Sequence, residues 1–488
     1  MNLYLIGHDY RYAAEQMLLT LFPDERPEYP DGRPTGDRAE LRLMSGTKVT
    51  TVTCVLVYHG QTANGRTSVP NGELTDPAET DRRLQGAVKR AFYRAAMGIG
   101  LPHRPWGMLT GVRPGKLMTP LLAQGLNDAQ AARQFERQYD VSPARADLVV
   151  RTAHATLRAM ESLSEKDVCL YVGIPFCPTR CAYCSFVSQS VEKSMALVPE
   201  FLQALAREIA ATADAVRKAG LRVVSLYIGG GTPTTLSARQ LDALCTQLAA
   251  AFDLSALREF TVEAGRPDTI TVDKLHVLRA HRVDRISVNP QTLSDRVLDT
   301  IGRRHTAQDI YDALRLVRET GGFAVNMDLI AGLPGDTPDG FRATLEQVLA
   351  LAPENITVHT LSRKRGSNLM AQDAPIPDGA AVGEMLDFAN TALPKAGYAP
   401  YYLYRQKFMS GGFENVGWTR PGQENLYNIC IMEELCSILA MGGGASTKLV
   451  RPNGGRLERH IDPKYPTEYI ANIDRICAAK AELEAFFQ

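Results

Sequence analysis

The sequence predicts an α/β protein built around a partial (β/α)6 TIM-type barrel, with an α/β N-terminal domain before it and a small mixed C-terminal domain after it. Three observations carry this. Between residues 168 and 363, six short β-like runs alternate with helical stretches, and β-then-α order implies a parallel sheet with helical crossovers. Six such units are fewer than the eight of a complete TIM barrel. The flanks differ in texture, with turn-bounded strands before and a Tyr/Gly-rich segment among helices after. The boundaries that follow are 1–163, 164–370 and 371–488.

In the first segment LYLIGH, ELRLMSG and TKVTTVTCVLVYHG read as strands, joined by turn-rich connections such as PDGRPTGD. Residues 80–100 and 127–163 read as helices, rich in Ala, Arg, Leu and Glu. Between them, WGMLTGVRPGKLM at 106–118 reads as a structured loop before a helix. Its cations, Arg113 and Lys116, would otherwise serve an anionic partner or the next domain. In the barrel, CLYVGI precedes a helix at 198–219, VVSLYIGG one at 237–251 and EFTVEAG one at 271–281. RISVNPQ precedes 294–300, AVNMDLIAG precedes 338–351, and NITVHTL closes the series. Loops after the C-terminal ends of such strands carry chemistry. YAPYYLYRQKFMSGGFENVGWTRPG reads as part of a small C-terminal domain or lid.

Composition narrows the class. Lys and Arg total 54 and Asp and Glu total 54, so nothing suggests long-range attraction to nucleic acid or to an anionic membrane. MNLYLIGHDYRYAAEQ lacks the basic and apolar regions of a signal peptide. No 18-residue apolar run is present, so no membrane span is expected, and the expected location is the cytoplasm. The nine cysteines follow no disulfide pattern, and clustered thiols in a reduced compartment point to metal or catalysis.

The cluster is IPFCPTRCAYCSF at 174–186, where Cys177, Cys181 and Cys184 follow the first barrel strand at C-x3-C-x2-C spacing. Cys thiolates hold iron–sulfur clusters. Three ligands on a [4Fe-4S] cube leave one iron open, which chemistry requires and simple electron transfer does not. Structural zinc usually asks for four ligands. The remaining cysteines, Cys54, Cys169, Cys245, Cys430, Cys436 and Cys477, read as small buried hydrophobes. IGGGTPT at 228–234 follows the second run, where glycines let backbone approach a ligand. Glu263, Gln291 and Asp328 end later runs, and Arg303 lies just past a short helix. Each could instead be structural, as a helix-terminal acid or a buried Asp–Arg pair.

C-x3-C-x2-C with an aromatic before the last Cys resembles the radical S-adenosylmethionine (SAM) enzymes. That resemblance implies a [4Fe-4S] cluster whose open iron is chelated by SAM, followed by reductive cleavage of SAM and hydrogen abstraction from substrate. The phrases PFCxxxCxYC, GGGTPTxL, VEAxxPD, RISVxxQ, GRxHT and DLIxGLPG occur in order. Together they resemble the oxygen-independent coproporphyrinogen III oxidase-like group, HemN, HemW and HemZ, over roughly residues 168–450. The N-terminal extension with LTGVRPGKL is most similar to HemZ-type coproporphyrinogen dehydrogenases.

The resemblance implies that Tyr171, Gly230 and Glu263 contact the cluster-bound SAM. It implies a second SAM site at Tyr183, Gly231, Thr232, Gln291, Arg303 and Asp328. Two positions depart from the oxidase pattern, with Phe186 where a fourth Cys would stand and Gly173 where a His would stand. The haem-chaperone pattern also fails in ENLYNICIMEE, where Asn425 matches but Glu424 replaces the His. Tyr401, Tyr402, Tyr404 and Trp418 either line a flat tetrapyrrole pocket or fill the core of the C-terminal domain.

The implied function is oxidative decarboxylation of coproporphyrinogen III to protoporphyrinogen IX, with electrons from a donor such as flavodoxin or ferredoxin. Arg113 and Lys116 are candidates for the substrate's carboxylates. The alternatives are a haem-binding carrier of the HemW kind, or another radical SAM reaction on haem such as methyl transfer or ring opening.

Overall fold

The computed structural model describes residues 1–32, 34–184, 189–190 (backbone alone), 194–362, 375–406, 412–451 and 457–487. These divide into two units, residues 1–112 with 125–147, and residues 113–124 with 148–488.

In the first unit, short runs that alternate buried and exposed residues form β1 (Asn2–Ile6), β2 (Arg38–Ser45), β3 (Val49–Tyr58) and β4 (Gln61–Pro70), with β3 richest in β-branched residues. They make one sheet in chain order, parallel between β1 and β2 and antiparallel after that. Helices Arg11–Leu21 and Pro77–Gly98 cover it, burying Met17, Leu18, Val88 and Phe92 against Leu41 and Val52. The second helix starts where the Asp76 carboxylate accepts the Ala78 and Glu79 amides, with Pro77 at its first position.

The six runs of the second unit are β5 (Asp167–Ile174), β8 (Arg222–Gly230), β9 (Glu259–Glu263), β10 (Arg285–Ser287), β11 (Ala324–Ala331) and β12 (Asn355–Thr360). All pair in parallel, in chain order. β6 (Phe176–Cys177) and β7 (Gln189–Ser190) pair separately. Val168, Leu170 and Val172 and, next door, Val224, Leu226 and Ile228 are all buried, as expected of parallel strands covered on both faces. Side-chain caps define the crossovers, with capping boxes at Ser237/Gln240 and Thr306/Asp309. The second box opens a helix at Ala307–Thr320 that periodicity alone did not isolate.

The sheet does not close. Beyond β12 it continues through the antiparallel strands β14 (Glu414–Thr419) and β13 (Ala399–Arg405). Beyond β5 it gains β15 (Ser437–Gly442), parallel to β5, then antiparallel β16 (Ser446–Leu449) and β17 (Glu458–Ile461). A buried polar network anchors β15. Glu208, on helix Val198–Lys218, accepts the Gly442 amide at 2.8 Å and pairs with Lys480 at 2.9 Å. Tyr469 also donates to Glu208, and Lys480 reaches Asp462 at 3.4 Å. Burial pushes the Asp462 carboxyl up to about 8. Among the described residues, no helix is long and apolar enough to cross a membrane.

Candidate active site at the strand ends

β5 delivers its chain through Ile174 and Phe176 to Cys177, and β8 delivers the triple glycine to the same level. The Gly231 amide donates to the Ile174 carbonyl at 2.8 Å and the Thr232 amide to the Phe176 carbonyl at 2.7 Å. Gly230 has φ +109, a left-handed conformation that glycine adopts without strain. Gly231 is needed for space, since a Cβ there would lie 2.5 Å from the Phe176 oxygen and 3.0 Å from Cys177 Sγ. The Thr232 hydroxyl then donates to Cys177 Sγ at 3.5 Å.

Cations gather around Cys181. Arg266, which follows β9, donates to Thr179 Oγ1 at 2.9 Å and lies 3.9 Å from Cys181 Sγ. Arg303 donates to the Tyr183 hydroxyl at 3.0 Å, and its other terminal nitrogen serves the Gly265 and Asn289 carbonyls at 2.8 and 2.6 Å. The loop itself is tied down by the Ala182 amide on the Ile301 carbonyl and the Cys184 amide on the Cys181 carbonyl. Burial, with Arg303 and Arg266 adding to it, lowers His305 to about 3, so this imidazole is neutral. Tyr183 is pushed up by burial.

Glu263 ends β9 facing the glycines, and a Cβ on Gly229 would lie 3.0 Å from its carboxyl group. The Tyr227 hydroxyl donates to it at 2.7 Å. Burial pushes Glu263 up to about 7, against that hydrogen bond and one from the Gly230 backbone, while Asp328 repels its charged form. Tyr171, Tyr227 and Tyr427 stack beneath it, with centroids 6.1 Å apart for Tyr171–Tyr227 and 4.4 Å for Tyr227–Tyr427. The Gln291 amide donates to the Asp328 carbonyl at 2.9 Å, and Gln291 has φ +66. Burial opposes ionisation of Asp328, but hydrogen bonding by His359, Asn326 and Thr357 outweighs it and holds the carboxyl low.

The residues singled out from sequence therefore fall into two adjoining groups, Tyr171, Gly230 and Glu263, and Tyr183, Gly231, Thr232 and Arg303 with the cysteines. Gln291 and Asp328 join through backbone; no described hydrogen bond links the Asp328 carboxylate to Arg303. Sequence reasoning missed Arg266, Tyr227 and Tyr427, because nothing local distinguishes them from surface or core residues, and it gave His305 no role although the residue lies in the GRxHT phrase.

The setting fits an anionic iron–sulfur cluster and a polar cofactor. Two buried guanidinium groups face the cysteine loop, and among the described residues Gln291 Oε1, Arg303 Nε, Arg266 Nη2 and both His305 nitrogens are buried without a hydrogen-bond partner. Such atoms are costly unless a ligand meets them.

Other expectations change. Arg113 and Lys116 both pair with Glu434, and a Cβ on Gly115 would lie 2.6 Å from Glu433 Oε1. The GVRPGK loop thus packs on two glutamates and is not free for substrate carboxylates. Tyr401 and Tyr402 pack with Ala155, Ala159 and Ile429 in a core cluster, with Tyr404 against it, and Trp418 is fully buried, so these aromatics sit in the core. Glu424 pairs with Arg158 at 3.4 Å, and Asn425 caps helix Leu426–Glu433 and donates to Thr261. At Gly173 a Cβ would lie 3.0 Å from the oxygen of Gly443, in the turn after β15, so a larger residue there would press on that turn. Phe186 lies outside the described residues.

Residues 171–348 match the family described as the Radical SAM superfamily. The chain is 39% identical, over 84% of both chains, to the "oxygen-independent coproporphyrinogen-III oxidase-like protein HemZ" of Bacillus subtilis (strain 168). It is 29% identical, over 66% of this chain and 80% of the other, to the "heme chaperone HemW" of Lactococcus lactis. Among solved structures, the coproporphyrinogen III oxidase HemN of Escherichia coli, described as a radical SAM enzyme, superposes with a TM-score of 0.52. That match has 25% identity and covers 66% of this chain and 72% of that one. The chain belongs to the radical SAM superfamily, in its oxygen-independent coproporphyrinogen III oxidase-like group of HemN, HemW and HemZ, and this membership implies a [4Fe-4S] cluster and SAM as cofactors.

Proposed function

We propose that this chain oxidatively decarboxylates coproporphyrinogen III to protoporphyrinogen IX. The observation that carries the reading is the Tyr183–Arg303 pair beside Cys181, flanked by the unpartnered Arg303 Nε and Gln291 Oε1. Polar atoms are left over there for a second SAM, beyond what Tyr171, Gly230 and Glu263 offer the first. The extent of likeness to HemZ supports the same reading.

In this reading Cys177, Cys181 and Cys184 are the three protein ligands of the [4Fe-4S] cluster. When bound, the cluster and SAM supply a one-electron route to hydrogen abstraction. Glu263 would accept from the ribose hydroxyls of a bound SAM, and the Gly230 turn would face its methionyl end. Arg266 and Arg303 offset the negative charge of the cluster and its thiolates. Thr232 and Gly231 set the height of Cys177 above the sheet. Two of the four propionate side chains would each become a vinyl by losing one CO2, one hydrogen atom, which ends in 5′-deoxyadenosine, and one further electron, which an external electron acceptor takes. A cytoplasmic flavodoxin or ferredoxin supplies the reducing electron.

The test is an anaerobic assay of reduced holoenzyme with SAM and coproporphyrinogen III. The expected products are protoporphyrinogen IX and 5′-deoxyadenosine. Deoxyadenosine without any tetrapyrrole change overturns the reading. The likeness to HemW favours a haem carrier as the second reading, and a haem titration separates the two. Micromolar haem binding with no decarboxylation would select the carrier.

A further inference from the structure

Three more cysteines converge at the other end of β5. Cys169 is the third residue of β5, Cys430 lies on helix Leu426–Glu433, and Cys436 immediately precedes β15. Their sulfurs all lie within 4.8 Å of one another, with Cys169 and Cys436 at 3.6 Å. All three are buried, in an apolar cluster with Val224, Tyr427 and Ile438.

The spacing suits one ion. A metal–thiolate bond of about 2.3 Å puts two sulfurs on one tetrahedral ion roughly 3.8 Å apart. The ligands of a four-iron cube are spread more widely. Strand register argues against a disulfide. Ile438 is aligned with Cys169, so Cys436 sits two residues back on the neighbouring strand path. At about 4.8 Å between strands and about 3.3 Å per residue, that diagonal is roughly 8 Å. Two cysteines more than about 7 Å apart at Cα cannot be bridged without backbone movement.

We propose that Cys169, Cys430 and Cys436 form a second metal site, distinct from the C-x3-C-x2-C loop, for a single thiophilic d10 ion. Soft thiolates select Cu(I) and Zn(II) over hard ions. Among the described residues no His, Asp or Glu joins the trio as a fourth ligand. A cuprous ion accepts such a three-sulfur set, whereas zinc needs one further donor. Binding releases thiol protons and ties β5 to the helix and β15, which follow it by more than 250 residues, so the ion acts as a clasp between them.

The test uses the full chain carrying its iron–sulfur cluster. It is incubated anaerobically with Zn(II) in one arm and Cu(I) in the other, challenged with a competing chelator, and desalted. Metal is counted, and cysteines are mapped by differential alkylation and mass spectrometry. About one equivalent should be retained in at least one arm, with Cys169, Cys430 and Cys436 protected. C430S and C436S should each lower retention about tenfold while iron content stays the same. The arm that retains its ion identifies it. Negligible retention in both arms, full alkylation of the trio with metal present, or a Cys169–Cys436 disulfide in the purified chain overturns the proposal. The protection pattern of the unmutated chain decides the matter even where a variant does not fold.

Discussion

Arg303 holds Tyr183 by a 3.0 Å hydrogen bond from one guanidinium nitrogen, while the other nitrogen bonds two backbone carbonyls, those of Gly265 and Asn289. One planar group thereby fixes the cysteine loop to the loops after β9 and β10. R303K keeps the charge but cannot reproduce the fork. Leaving buried partners unmet costs about 1–3 kcal/mol each. R303K should therefore lower the thermal midpoint by several degrees and SAM cleavage by an order of magnitude or more. Y183F, which removes one bond of about 1 kcal/mol, should move stability far less. Equal melting curves for all three proteins would refute this division of labour.

C181A removes one of three thiolates from the loop and leaves Arg266 and Arg303 without their sulfur partner. Reconstituted protein should carry about four irons per chain, and C181A close to none. Iron analysis checks it, and an unchanged content sinks the cluster assignment.

At Gly231 the prediction is steric. An added methyl group would sit 2.5 Å from the Phe176 oxygen, so backbone must move and take Cys177 with it. G231A should lose iron faster to a chelator and unfold about 1–3 kcal/mol more easily. At Gly302 nothing lies within 4 Å of the corresponding position. G302A should cost about 1 kcal/mol from its φ of +69 alone, and retain iron normally.

Glu263 gives a pH dependence. Its folded carboxyl is raised from 4.5 to about 7, chiefly by burial. Between these values the folded chain binds more protons than the unfolded one, so this group's stabilisation is complete below 4.5 and is lost as pH rises toward 7. SAM affinity should run the other way, strengthening as pH rises through about 7, because a carboxylate accepts ribose hydroxyls better than a carboxylic acid does. E263Q should flatten both profiles. Calorimetric SAM titrations from pH 6 to 8 would show it, and a slope surviving in E263Q would disprove the assignment.

Lys480 is buried between Glu208 and Asp462. K480M leaves two acids without their counter-ion, and breaking such a buried pair typically costs about 3–5 kcal/mol. Denaturant melts should register that loss. A change under 1 kcal/mol would refute the pairing's role in stability.

Much of this architecture is legible in the chain. The six parallel strands show as short β-like runs rich in apolar residues, because they are covered on both faces, with polar residues such as Glu259 and Arg285 among them. The cysteine loop and glycine turn show because their chemistry demands those residue types at fixed spacing. Arg266 does not show, since only the fold brings it to Cys181. Nor does β15. CSILAMGGGAS is apolar enough for a strand, but its partnership with β5 is a long-range pairing that no local pattern encodes. Tyr401 and Trp418 illustrate a different limit, as aromatic composition cannot distinguish a cavity wall from a core.

The placement of β15 bears on how the protein is made. Gly442 lies opposite Gly173 at the edge of the cysteine loop, yet the two are synthesised far apart in time. Roughly 260 residues separate the end of β5 from the start of β15, and at about 5–20 residues per second the ribosome needs on the order of ten to fifty seconds to cover them. Until then β5 has an open edge and its loop lacks one wall. The pocket around the cysteine loop therefore cannot be completed before β15 has been made and has paired with β5.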